Sequence, residues 1–71
     1  MATMDDIPIT GDHIKLGQLL KLAGVIESGA HAKLLLADLP VLVNDEAETR
    51  RGRRLVKGDR VQVGDMDLRV V

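Results

Sequence analysis

A chain of 71 residues with no Phe, Tyr, Trp or Cys has few ways to hold itself together. Aromatic side chains supply large packing areas in most small cores, and disulfides or thiolate-bound metals brace many others. Neither is available here, so one aliphatic core of Leu, Val, Ile, Ala and Met must carry the stability. The length fits a single domain, residues 1–71, with little room for a deep substrate cleft. The missing Cys also removes thiolate nucleophiles. No charged-then-apolar leader or long apolar run marks secretion or membrane insertion, so the expectation is a cytoplasmic protein without membrane contact.

Pro8 constrains the start of the chain. It cannot donate to a ladder and holds Ile7 extended, so Asp5-Asp6-Ile7-Pro8-Ile9 reads as a short edge strand or extended arm, with residues 1–6 a flexible N-terminal arm. From Leu16 the apolar residues Leu16, Leu19, Leu20 and Ala23 keep helical spacing, and Gly24 can take the left-handed stop conformation. Ser28 is the N-cap of a second helix through Ala37, with Ala32, Leu35 and Leu36 on one face and Leu34 flanking them. So short a connection makes the two helices immediate neighbours that cross at an angle.

After Pro40 the pattern becomes strand-like. Val41-Leu42-Val43 is β-prone, Asn44-Asp45 suits a tight turn, and residues 46–49 form the return strand. The arginine-rich segment is then a loop, and Lys57-Gly58-Asp59 turns the chain again. Arg60-Val61-Gln62-Val63 alternates polar and apolar, Gly64-Asp65-Met66 turns, and Leu68-Arg69-Val70-Val71 closes a final hairpin. The expected fold class is α+β: two short adjacent helices followed by a small antiparallel sheet.

The formal net charge of −1 conceals an asymmetry. Residues 50–60 hold Arg50, Arg51, Arg53, Arg54, Lys57 and Arg60 against Asp59 alone, a local +5, so the remaining residues sum to −6. Such a chain can present one basic face while its acidic remainder discourages indiscriminate adhesion to nucleic acid.

Catalytic chemistry finds little support. His13 and His31 have no metal-ligand spacing, Ser28 stands before a helical run where capping explains it, and Asp45, Glu46 and Glu48 read as solubilising surface carboxylates around a hairpin. The glycines lack the strand-loop-helix context of a phosphate-binding fingerprint. Neither an enzyme nor a cofactor, metal or small-molecule substrate is expected. What stands out is Thr49-Arg50-Arg51-Gly52-Arg53-Arg54, four guanidinium groups around a glycine that lets the backbone approach a partner. Each arginine can fork onto phosphate oxygens or stack on an unpaired base. Without aromatic stacking platforms, recognition rests on charge and shape. The alternative is a protein-interaction module that docks an acidic partner through the same loop.

The order of Lys15-Leu16, Leu19-Leu20, Gly24, Ser28, Ala32-Lys33, Leu35-Leu36, Val41-Leu42-Val43-Asn44 and Lys57-Gly58-Asp59-Arg60-Val61 resembles the S-four RNA-binding domain. That module is named for a small-subunit ribosomal protein and is also appended to some pseudouridine synthases and tyrosyl-tRNA synthetases. Lys15-Leu16-Gly17-Gln18-Leu19-Leu20-Lys21, Ser28-Gly29-Ala30-His31-Ala32-Lys33 and Glu48-Thr49-Arg50-Arg51-Gly52-Arg53 are similar to its short free-standing bacterial members of YbcJ/YaaA type. The resemblance covers residues 15–71.

It implies the S-four-like (alpha-L) fold, in which two helices and an adjoining hairpin form an RNA-facing surface. Lys15 matches the basic position before the first helix, Lys33 one on the second, and Arg50, Arg51, Arg53 and Arg54 the basic segment of the short members. Gly29 stands where many members place an arginine, so its contact would be a backbone N–H. Leu39-Pro40 replaces a frequent glycine, and Asp45 replaces the usual turn glycine after Asn44. The implied partner is structured RNA, ribosomal RNA or a ribosome-assembly particle; the chain itself is expected to be a monomer.

Overall fold

The computed structural model describes residues 4–71, with only the backbone described at Gly29, Ala32 and Lys33. The elements run β1 (Met4–Ile7), β2 (Ile14–Lys15), α1 (Leu16–Leu22), α2 (Gly29–Asp38), β3 (Val41–Val43), β4 (Glu46–Ala47), β5 (Arg54–Leu55), β6 (Arg60–Val63) and β7 (Met66–Val70). This is the α+β arrangement expected.

Local chemistry sets each helix. In α1 the buried residues Leu16, Leu19 and Leu20 lie at i, i+3 and i+4, one face of a helix. The helix ends where Gly24 takes φ +79. Gly24 N–H then donates to Lys21 O at 3.1 Å and Val25 N–H to Leu20 O at 2.9 Å, the paired bonds of a glycine-terminated helix. Ser28 caps α2, its Oγ accepting from His31 N–H at 3.3 Å, and His31 Nδ1 accepts in turn from Glu27 N–H at 3.3 Å. At the far end Leu39 is extended, as a residue before proline must be. Leu36 is buried and Leu35 partly so, but Leu34 is 65% exposed rather than flanking the apolar face. Two residues along a helix is about 200° of rotation, so Leu34 points away from the side that Leu36 buries. The side chain of Ala32 lies outside the described residues.

The main sheet has the order β1-β7-β6-β3-β4, and β2 and β5 form a separate antiparallel ribbon. Val41, Val43, Val61, Val63, Leu68 and Val70 alternate onto one face. There they meet Leu16, Leu19, Leu20, Ile26, Leu36 and Leu55 in a single aliphatic cluster. That cluster is what the lack of aromatics required.

Four expectations need correction. The sheet is mixed, because β1 runs parallel to β7 at its edge. Residues 4–6 of the expected flexible arm are therefore in that strand, whose pairing Val71 N–H to Ile7 O and Ile9 N–H to Val71 O extend at 3.0 Å each. Residues 1–3 lie outside the described residues. The return strand expected over 46–49 stops at Ala47, since after Glu48 N–H donates to Val41 O at 2.9 Å the chain leaves β3 for the start of α1. Arg54, expected in a loop, is in β5, because residues 54 and 55 pair with Lys15 and Ile14.

Asn44 and Asp45 both adopt positive φ, +51 and +70, so the β3–β4 hairpin turns tightly without the usual glycine. Asn44 is held from two sides: its Nδ2 donates to Asp59 Oδ1 at 3.1 Å and its Oδ1 accepts from Arg60 N–H at 3.0 Å. Asp59 Oδ2 accepts from Val56 N–H at 2.8 Å. Asn44 and Asp59, prominent in the sequence pattern, thus tie the hairpin to the start of β6.

Candidate nucleic-acid interface

The arginine segment is fastened to the first helix by its own backbone. The opening N–H groups of a helix have no partner within it. In α1 two of them find carbonyls of the arginine segment: Leu16 N–H donates to Arg53 O and Gly17 N–H to Arg51 O, both at 2.8 Å. Lys15 N–H, just before the helix, donates to Gln18 Oε1 at 3.3 Å. Residues 50–53 form a turn closed by Arg53 N–H to Arg50 O at 3.2 Å. The segment is a docked turn followed by a strand, so it brings arginines to the start of α1.

Strand register then sets two cations side by side. Lys15 of β2 lies directly opposite Arg54 of β5, and opposed residues of an antiparallel pair project to the same face. Both are exposed, and among the described residues neither has an ion-pair partner. Asp12 is near enough to sense Arg54. Its carboxyl is held below the ordinary aspartate value first by the hydrogen bond from His13 Nδ1 at 2.8 Å, with its own backbone and the charges of His13 and Arg54 adding to this.

Glu48 was expected on the solvated surface beside Asp45 and Glu46, and that expectation is corrected. Asp45 and Glu46 are exposed, but Glu48 is only 8% exposed. Arg50 reaches it with both ends of its fork, Nη2 to Oε1 at 3.1 Å and Nε to Oε2 at 3.5 Å, and Arg53 Nη1 approaches Oε1 at 3.5 Å. These interactions hold the Glu48 carboxyl below the ordinary glutamate value. The Arg50 hydrogen bond is the largest cause and burial opposes it. A single carboxylate at the edge of an arginine run, two and five residues from Arg50 and Arg53, was the available sequence signal.

The structure thus brings Lys15, Arg50, Arg51, Arg53 and Arg54 to one region around the start of α1. Leu36 and Ala37 of α2 line a shallow open groove with Thr49, Arg50, Arg51 and Gly52. The second helix and the basic turn therefore border a common surface. Gly29 and Lys33 belong to α2, but their surroundings lie outside the described residues. His13 and His31 are engaged with Asp12 and with the cap of α2. Among the described residues no group of three or more His, Cys, Asp or Glu could hold a metal ion, and no helix is long and apolar enough to cross a membrane.

Comparison with known proteins fits this geometry. Residues 7–71 match the S4 domain family. The chain is 54% identical over 57 residues to a probable ribosome maturation protein, RlbA, of Bacillus subtilis (strain 168), covering 80% of each chain. It is 41% identical over 59 residues to a putative RNA-binding protein, YbcJ, of Escherichia coli (strain K12), covering 83% of this chain and 84% of the other.

Proposed function

The chain belongs to the S4 domain family, a non-catalytic RNA-binding module, and from that premise we propose that it binds structured RNA through the surface joining the start of α1 to the arginine turn. The observation that carries this reading is the opposed pair Lys15 and Arg54, exposed and with no carboxylate at ion-pair distance among the described residues. Like charges directly opposite on neighbouring strands destabilise a sheet, and a polyanion laid across them removes that repulsion. Arg50, Arg51, Arg53 and Arg54 supply forked donors to phosphate oxygens, and Lys15 and Lys33 supply point charges. Gly29 offers a backbone N–H at the start of α2. Helix α2 follows the RNA by shape, since no aromatic residue is present to stack bases. The RlbA relative's description as a probable ribosome maturation protein favours ribosomal RNA or an assembly particle as the target.

Binding to a structured RNA across a salt series tests the reading. Wild type is compared with a variant in which Arg50, Arg51, Arg53 and Arg54 are all Ala, with folding of both checked by circular dichroism. The variant is expected to lose most of its affinity and to flatten the salt slope by roughly 0.7 for each single-strand phosphate no longer neutralised. Equal, weak binding by two folded proteins would contradict the proposal.

A further inference from the structure

Glu48 is an unexpected residue in a site built for a polyanion. A carboxylate among phosphate-binding arginines opposes the ligand by charge, and its burial adds a desolvation cost. Yet it is tied into the fold at three points. Its N–H donates to Val41 O, its Oε1 is shared by Arg50 Nη2 and Arg53 Nη1, and its Oε2 accepts from Arg50 Nε. Arg50 and Arg53 are the two ends of the turn whose carbonyls at 51 and 53 accept from the start of α1. The carboxylate therefore spans that turn and holds both of its terminal guanidinium groups. Arg50 remains 74% exposed while held, so its fork is oriented at one edge and open to solvent at the other. Arg53 is 33% exposed.

Resting on the RNA-binding reading above, we propose that Glu48 is the positioning residue of the arginine turn. By fixing Arg50 and Arg53 before RNA arrives, it strengthens binding of an anion that its own charge would repel. Arginine side chains lose considerable rotamer freedom when immobilised, and a site that has already ordered them binds more tightly than one that must order them on binding. Without the carboxylate, Arg50 and Arg53 would lose the anchor they share and swing into solvent.

The test turns on sign. Glu48→Gln makes the domain more cationic by one charge, so simple electrostatics predicts tighter RNA binding and a steeper salt slope. Positioning predicts the reverse: binding about tenfold weaker at fixed salt, for two arginines that must be ordered anew. The same substitution in an Arg50→Gln, Arg53→Gln background is expected to cause no further loss, because nothing remains for Glu48 to hold. Unchanged or tighter binding by E48Q would overturn the proposal. So would equal weakening in both backgrounds, which would mark Glu48 as support for the fold alone.

Hydrogen exchange at the arginine Nε–H groups of the wild type decides the matter even if E48Q does not fold. The Arg50 Nε proton is expected to exchange more slowly than that of Arg54, and equal rates would contradict the clamp. A wild type that binds no RNA removes the underlying reading and this proposal together. A wild type that binds RNA no better than E48Q removes the proposal alone.

Discussion

Two strand pairs in this domain set like charges opposite one another, and the fold treats them differently. On the face of the main sheet turned away from the core, Arg60 of β6 faces Arg69 of β7. There Arg60 Nε and Nη2 donate to Asp67 Oδ1 at 3.3 and 3.1 Å, and Asp6 of β1 stands opposite Arg69. On the β2–β5 ribbon, Lys15 faces Arg54, and no carboxylate pairs with either among the described residues. The sheet pairs one of its two opposed cations, Arg60, with a carboxylate, whereas the ribbon holds neither of its own in an ion pair and leaves both available to a ligand. Cation count alone would not separate the two regions.

The largest effect that could break this comparison lies beneath the ribbon. Leu55 is fully buried behind β5, as Leu68 is behind the outer face of the sheet. Either residue changed to Ala is expected to cost about 2–5 kcal/mol in urea unfolding, from reduced burial and the cavity left behind. A domain of this length has only about 4–10 kcal/mol in total, so both variants are severely weakened. A Leu55→Ala loss far below that of Leu68→Ala would show the ribbon to be peripheral and the basic surface loosely held.

Acid sharpens the comparison next. The Glu48 carboxyl is held below its ordinary value in the folded protein, so its contribution to stability is fully present above the unfolded glutamate value. That contribution is lost as pH falls through the lower, folded one. In that window wild type should lose stability more steeply than E48Q, and the difference between them should shrink as pH falls. Parallel profiles for the two proteins would contradict a folded-state role for the Glu48 charge.

A smaller effect distinguishes the two cation pairs directly. Lys15→Gln is expected to stabilise the domain by about 0.2–1 kcal/mol, by removing an uncompensated opposed charge. Arg60→Gln is expected to destabilise it by about 1 kcal/mol, because Asp67, itself mostly buried, loses a half-exposed charged partner. Denaturant midpoints measure both, and effects of the same sign would erase the distinction.

Much of this was legible in the sequence, for reasons that are local. Gly24, Ser28 and Pro40 punctuate the helices through backbone chemistry that acts within a few residues, and alternation in residues 60–63 fixes which side of β6 is buried. The parallel pairing of β1 with β7 was not legible, because it joins residues more than sixty positions apart and depends on where the last strand lies. Likewise, the arginine run identified the basic segment, but its docking is carried by main-chain carbonyls that no side chain announces. Glu48 escapes a sequence reading for a related reason. A glutamate beside a hairpin reads as solvated until the chain folds two arginines back onto it.

The most direct test of the account removes each cation pair in turn and measures binding to a structured RNA across a salt series. Lys15→Gln with Arg54→Gln should weaken binding and flatten the salt slope by roughly 0.7 for each single-strand phosphate left without its cation, while the fold stays intact. Arg60→Gln with Arg69→Gln removes the same formal charge and should leave affinity and slope close to wild type. If the two double variants lose affinity equally, binding follows net charge alone, and the ribbon surface is not the site.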